Sequence, residues 1–271
     1  MFLRRIVISA AAMTALAGWA EAATPRNWQL GLQQAVTPVM AQIEDFHRLL
    51  LFIITGICIF VAALLIWVML RYNQRANPVP SKTSHNTLLE VVWTGVPVII
   101  LVLIAIPSFR LLYFEADIPK PDLTVQVIGR QWYWTYAFPK DGGFQYDSNM
   151  LTDAAAKAAG EPRLLGVDNP LVVPVNKVVE VETTASDVIH SWAVPAFGVK
   201  MDAIPGRLNK TWFKATKPGT YYGQCSELCG ANHAFMPIEV KVVSEAEYQA
   251  WLKAAKQKYA GIDDAVRLAA N

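Results

Sequence analysis

The sequence predicts a two-helix membrane hairpin followed by an all-β outer domain, a sandwich or small barrel, with one helix at its C-terminal end. Three observations carry this. Two long uncharged apolar stretches lie within the first 109 residues, Leu49 to Leu70 and Val91 to Phe109. Short strand-like runs separated by turn signals follow them. The segment Ser244-Glu245-Ala246-Glu247 then reads as a helix start with Ser244 as cap. Across the 271 residues, 54% hydrophobic and 17% charged composition with a mean hydropathy of +0.27 exceeds the globular norm, which excludes a disordered or highly charged chain. A net charge of +2, with no basic run interleaved with aromatics, excludes nucleic acid as a partner.

Taken in order, residues 1–22 read as an export signal. Arg4 and Arg5 precede an apolar stretch from Ile6 to about Gly18, and Ala20-Glu21-Ala22 supplies a small-x-small cleavage site. The anchor region is expected over 23–116. Each of its uncharged stretches, at about 1.5 Å rise per residue, is long enough for a hydrocarbon core of roughly 30 Å. Pro97 and Pro107 are compatible with the second span, since prolines are common in membrane helices. The connecting loop carries Arg71, Arg75 and Lys82 and no acid before Glu90. The positive-inside rule therefore places the loop in the cytoplasm, the two spans in the membrane lipid, and the rest of the chain on the outer side.

Past Phe109 the character changes. Residues 110–271 hold 17 Lys/Arg against 18 Asp/Glu, so this part is near neutral. Ile118-Pro119-Lys120-Pro121 makes a stiff exit from the second span. Over 117–243 the predicted strands are Leu123 to Ile128, Trp132 to Phe138, Leu171 to Val175, Val178 to Thr183, Leu208 to Ala215 and Pro237 to Val243. Asp141-Gly142-Gly143, Asp168-Asn169-Pro170, Ile204-Pro205-Gly206 and Lys217-Pro218-Gly219 mark turns. Ala154 to Gly160 is a loop insertion or short helix, and 244–271 a helix to about Lys258 with a tail. Trp132, Trp134, Tyr136 and Phe138 alternate, so one strand face would hold all four.

The chemistry is concentrated in Cys225-Ser226-Glu227-Leu228-Cys229-Gly230-Ala231-Asn232-His233-Ala234-Phe235-Met236. Two thiols, an imidazole and a thioether in one loop are soft donors, which favour copper over a structural zinc site built from Cys and His alone. His47 precedes the first span and His85 lies in the cytoplasmic loop, which leaves His190 as the second outer imidazole. Two bridging thiolates with one imidazole for each metal describe a dinuclear copper centre. The competing reading is a Cys225–Cys229 disulfide, favoured by an oxidising compartment. Donors at His233 and Met236 weigh towards the metal. Cys58, inside the first span, reads as packing.

These residues resemble subunit II of the haem-copper cytochrome c oxidases. The resemblance is carried by Gln131-Trp132-Tyr133-Trp134, His190-Ser191-Trp192-Ala193-Val194-Pro195, Asp202-Ala203-Ile204-Pro205-Gly206-Arg207 and Tyr221-Tyr222-Gly223-Gln224-Cys225 through Met236. It implies a cupredoxin-like β-sandwich after the hairpin. His190 and Met236 would complete one copper, and His233 with the Glu227 carbonyl the other, with Cys225 and Cys229 bridging both. The Glu227 carboxylate would help bind a magnesium or manganese ion shared with the catalytic subunit. Trp132 would receive the electron from cytochrome c, and Asp187 would belong to the docking surface, with Asp147 and Asp168 as weaker candidates. Where relatives often carry Glu after Trp-Tyr-Trp-x-Tyr, this chain has Ala137.

Glu90 would stand at the cytoplasmic mouth of a proton channel in the large subunit. The implied function is an electron-input subunit working with catalytic subunit I and a subunit III, in which oxygen is reduced to water and protons are pumped. Two other classes are distinguishable. A membrane-anchored copper chaperone or thiol oxidoreductase should show a βαβ pattern and no His-x-x-Met, and a copper-free quinol oxidase subunit should lack the ligands. Without Cys-x-x-Cys-His there is no attached c-type haem.

Overall fold

The structure, a computed structural model, describes residues 25–140 and 143–259. The predicted signal at 1–22, part of the turn at 141–143 and the tail beyond 259 lie outside the described residues. The chain divides into a β unit, which includes the segment up to Ala41, and a helical unit, Gln42–Phe114.

In the helical unit, both uncharged stretches are helical and longer than predicted: α1 (Pro38–Arg71) and α2 (Thr87–Ala116). Both are long and apolar enough to cross a membrane, and their apolar side chains, Phe52, Leu65 and Leu103 among them, are exposed, as lipid-facing residues should be. Polar side chains close the two helix ends that flank the connecting loop. Asn73 Nδ2 donates to the Met69 and Leu70 carbonyls at the end of α1, and Asn86 Oδ1 accepts from Leu89 N at the start of α2. Glu90 sits in the first turn of α2, where a carboxylate complements the helix dipole.

The β unit begins with Val36 and Thr37. Val36 N donates to the Ala196 carbonyl, Thr216 N donates to the Val36 carbonyl, and Thr37 Oγ1 donates to the Phe197 carbonyl at 2.6 Å, so the chain is tied to this unit before α1 leaves it. Ten strands follow among the described residues: β1 (Leu123–Arg130), β2 (Tyr133–Phe138), β3 (Phe144–Ser148), β4 (Leu171–Pro174), β5 (Val179–Ala185), β6 (His190–Val194), β7 (Val199–Ala203), β8 (Asn209–Phe213), β9 (Gly219–Cys225) and β10 (Pro237–Val243). They form two five-stranded sheets, β3-β2-β1-β5-β8 and β4-β10-β9-β6-β7, each with one parallel pair. The core between them holds Trp134, Tyr136, Phe138, Trp192, Phe197 and Phe213, all fully buried, with Phe197 and Phe213 rings 4.6 Å apart. Aromatics of this size supply the largest share of the apolar burial.

The insertion is the short helix α3 (Asp153–Ala159), capped by Thr152 and ended by Gly160. The last helix, α4 (Glu245–Lys258), matches the sequence reading. The Ser244 hydroxyl accepts from Glu247 N, and Ser244 N donates to the Glu247 carboxylate at 2.9 Å. Its buried positions, Tyr248, Leu252 and Ala255, follow a helical period, and Trp251 packs on Phe138.

Two expectations are corrected. Strand β2 starts at Tyr133, because Arg130 pairs with Tyr133 and leaves Gln131-Trp132 as the hairpin turn. Trp132 therefore leaves the buried face that Trp134, Tyr136 and Phe138 share. Strands β3, β6, β7 and β9 were not read from the sequence. In β9, Gly223 interrupts the strand signal, yet the sheet needs it: a Cβ there would lie 1.9 Å from the Ala193 carbonyl oxygen.

Candidate metal centre

Three neighbouring strands bring the donors together. Strand β9 ends at Cys225, β6 begins at His190, and β10 begins directly after Met236. Trp192 pairs with Cys225, Ser226 N donates to the Ser191 carbonyl at 2.9 Å, and Cys225 N donates to the Met236 carbonyl at 3.3 Å. These sheet-type bonds fix His190, Cys225 and Met236 at one end of a rigid sheet. The loop 226–236 folds back over that end, with a 3₁₀ turn at His233–Phe235 that carries the second imidazole.

The donor atoms form a continuous cluster. Cys225 Sγ lies 3.9 Å from His190 Nδ1 and 3.9 Å from Cys229 Sγ. Cys229 Sγ in turn lies 3.6 Å from His233 Nδ1 and 3.5 Å from Met236 Sδ. The Glu227 carbonyl oxygen is 3.4 Å from Cys225 Sγ, while the residue itself is exposed. The ligand atoms of His190, Cys225 and Cys229 all lie within 4.8 Å of one another, and all three residues are buried. Both thiols are free, so the described geometry is not that of a disulfide.

Electrostatics favour a cation here. Burial pushes the Cys225 thiol up, but hydrogen bonds from His190, the Glu227 and Ser191 backbone and His233 outweigh it and hold the thiol at about 6. Burial and the adjacent Cys225 charge push Cys229 up to about 12. One thiolate forms readily and then opposes the other, a conflict that a metal shared by both would remove. Two thiolates, two imidazoles and a thioether in one cluster, all but His233 buried, fit copper by donor chemistry.

The surrounding residues orient these donors. Asp187 Oδ1 lies 2.8 Å from His190 Nε2, which directs Nδ1 at the sulfurs. Burial lowers the His190 pKa, yet Cys225 and Asp187 together raise it above its ordinary value. Asp187 also accepts from Val188 N and, through Oδ2, from Gln131 N, both at 2.7 Å. Trp134 Nε1 donates to the Met236 carbonyl at 3.3 Å, and its ring meets the His190 ring edge-on. Gly129 on β1 leaves room for His190: a Cβ there would stand 2.7 Å from the ring Cδ2. Trp132, half-buried at the hairpin turn, donates through Nε1 to the Cys229 carbonyl at 3.1 Å and lines a surface cavity of about 480 Å³ with Asn149, Met150, Asn232 and Phe235.

The structure thus gathers His190, Cys225, Cys229, His233, Met236, the Glu227 carbonyl, Trp132 and Asp187 around one cluster. Asp147 and Asp168 are exposed and engaged locally, Asp147 with Thr135 and Asp168 with Asn149. Glu90 belongs to the helical unit. Sequence reasoning missed Gly129, Gln131 and the Trp134–Met236 bond. The predicted strand stops at Ile128, so Gly129 falls inside β1 only in the structure, where a strand glycine marks a close approach.

Fold and donor set define a membrane-anchored protein whose β-sandwich carries a cluster of soft and imidazole donors. Two family models match it: the cytochrome c oxidase subunit II periplasmic domain over residues 123–243, and the transmembrane domain of the same subunit over residues 25–111. A probable cytochrome c oxidase subunit 2 of Rickettsia bellii is 48% identical over 271 residues, covering 100% of both chains. Cytochrome c oxidase subunit 2 of Cereibacter sphaeroides is 45% identical, covering 86% of this chain and 82% of its own. The crystal structure of the periplasmic domain of subunit II of cytochrome oxidase of Bradyrhizobium japonicum is 58% identical, with a TM-score of 0.50, and covers 53% of this chain and 100% of its own. The chain belongs to the cytochrome c oxidase subunit II family. It is accordingly a membrane-anchored subunit of an oxidoreductase complex, with a soluble cupredoxin-like domain.

Proposed function

We propose that the chain is the electron-input subunit of its oxidase, and that its β domain holds two copper ions per chain. The carrying observation is the unbroken run of five soft or imidazole donors, spaced 3.5–3.9 Å, of which His190, Cys225, Cys229 and Met236 are buried and His233 half-buried. His190, Cys225, Cys229, His233, Met236 and the Glu227 carbonyl would hold the metals. Bound there, copper supplies a one-electron carrier whose charge is spread over two nuclei. The chain's own residues do the rest: Asp187 orients His190, Trp134 and the β6–β9–β10 bonds fix the donors, and burial excludes water.

On this reading Trp132 is the surface residue through which cytochrome c delivers its electron, since its indole reaches both the surface cavity and the Cys229 carbonyl. Asp187 keeps one side towards solvent and takes part in docking that donor, because rim carboxylates steer a basic partner. The exposed Glu227 carboxylate is free to reach a magnesium or manganese ion held with subunit I, and subunit III completes the complex. Residues 1–22 are the signal, 23–116 the anchor with spans at 49–70 and 91–109, 117–243 the copper domain in the periplasm, and 244–271 the C-terminal helix and tail. Glu90, on the cytoplasmic side by the positive-inside rule, stands at the mouth of the proton path in a proton-pumping complex.

The ten-strand domain, whose helix between β3 and β4 is only seven residues long, supports this over a thioredoxin-like chaperone. The test is copper counted per chain in the purified oxidase, together with the electron paramagnetic resonance of the oxidised site. Two coppers sharing one unpaired electron are expected; one copper per chain, or an electron localised on one nucleus, overturns the proposal.

A further inference from the structure

The metal loop has few internal hydrogen bonds. Within 226–236 the backbone bonds run from His233 N to the Gly230 carbonyl and from Phe235 N to the Asn232 carbonyl, and neither involves Cys229. Cys229 is nevertheless the middle of the donor cluster, its sulfur touching Cys225, His233 and Met236. Something outside the loop must fix it.

That support comes from the turn between β1 and β2. The Cys229 carbonyl accepts two N–H donors, Gln131 Nε2 at 2.9 Å and Trp132 Nε1 at 3.1 Å, which fills both its lone pairs. The backbone of the loop rests directly on the same turn: a Cβ at Gly230 would lie 3.0 Å from Trp132 Cζ2 and 3.1 Å from Gln131 Nε2. Gln131 also works in the opposite direction. Its main-chain N–H donates to Asp187 Oδ2 at 2.7 Å, and Asp187 Oδ1 meets His190 Nε2 at 2.8 Å. Among the described hydrogen bonds, Gln131 alone joins the loop that carries Cys229 to the carboxylate that orients His190.

We propose that Gln131 is a positioning residue for the copper centre, with its side-chain amide setting the Cys229 loop and its main-chain N–H setting Asp187 and, through it, His190. This rests on the copper reading above. The Trp132 indole shares the load on the Cys229 carbonyl, so the residue that faces the electron donor is part of the same clamp.

The side chain is separable from the main chain by substitution. Gln131→Met keeps length and approximate volume and leaves the bond to Asp187 in place, but removes the N–H to Cys229. If Gln131 only fills space, this variant should match the parent. Outer partners of metal ligands are worth about 10–100-fold in metal affinity, and an amide at the edge of water belongs at the lower end. The experiment uses the whole oxidase in detergent, following copper loss to a competing chelator and the paramagnetic resonance of the oxidised site. Expected are about tenfold faster copper loss and altered copper hyperfine couplings in Gln131→Met, with a larger effect in Gln131→Glu, which sets a carboxylate against the carbonyl. Should Gln131→Met prevent assembly, Gln131→Arg, which returns N–H donors at similar reach, is expected to restore assembly and parent-like copper retention.

Parent-like retention and spectrum in both the Met and Glu variants overturn the proposal. So does an arginine variant as defective as the methionine one. A parent enzyme without two coppers on this chain would instead overturn the copper reading, and this proposal with it.

Discussion

Gly129→Ala tests how tightly the β1 strand templates the metal centre. A Cβ at position 129 would stand 2.7, 2.8 and 2.9 Å from Cδ2, Cγ and Cβ of His190. Carbon atoms settle at about 3.5 Å or beyond, so the imidazole or the strand must give by about 0.8 Å. The ring has little freedom to do so. It is fully buried, edge-on against Trp134, and held through Nε2 at 2.8 Å by Asp187. A shift of that size is enough to take a hydrogen bond of this length past the limit at which it counts as one. Overpacking of a core position costs about 1–3 kcal/mol, and losing a hydrogen bond to a charged group about 1.5–3 kcal/mol. Because one movement causes both, the two do not simply add, and about 3 kcal/mol is the expected total. If half of that falls on metal binding, copper affinity drops about tenfold, since 1.4 kcal/mol is a factor of ten. The assay is denaturant unfolding of the purified subunit with and without copper, together with a copper titration against a chelator. A Gly129→Ala protein with parent stability, copper affinity and spectrum would refute the reasoning, for it would mean that His190 is not held where the structure has it.

Other perturbations separate the remaining roles. Cys225→Ser or Cys229→Ser should abolish the dinuclear site in a copper count, whereas Met236→Leu should retain both metals and change the reduction potential measured by redox titration. Trp132→Phe should slow cytochrome c oxidation while copper retention falls no more than about fivefold, the worth of one hydrogen bond of about 1 kcal/mol; unchanged turnover would remove Trp132 from the electron path. Burial pushes the Glu239 carboxyl above its ordinary 4.5, against the lowering by Val167 N–H and Lys241. Its favourable contribution is therefore complete below about 4.5 and is lost as pH rises through the folded value. Glu239→Gln should accordingly gain stability relative to the parent as pH climbs from ~4 to ~8, read by thermal unfolding, and a difference independent of pH would count against it.

What was legible in the sequence followed the range of the interactions involved. Apolar stretches, the Ser244 cap and the donors within Cys225 to Met236 are local patterns, and each emerged close to where the sequence put it. The Gly129 contact and the Gln131 and Trp134 bonds join residues far apart in the chain: Gln131 and Cys229 are 98 positions apart, Trp134 and Met236 102. No period or spacing encodes such pairs; they exist only once β1, β6, β9 and β10 have taken their places. Strand β9 shows why those places were hard to read. It must carry Gly223, because β6 approaches to within 1.9 Å of where a Cβ would stand, and a glycine inside a strand weakens its signal. The same holds for β6, which opens with a buried His190 and Ser191 where an apolar residue would have announced a strand. The residues that obscure these strands are the ones that build the site: His190 faces the sulfurs, and Gly223 lets β9 pack close enough to β6 to set Cys225 beside it. Chemistry and strand propensity compete for the same positions, so the sheet end that holds the donors is where a reading from pattern should fail first.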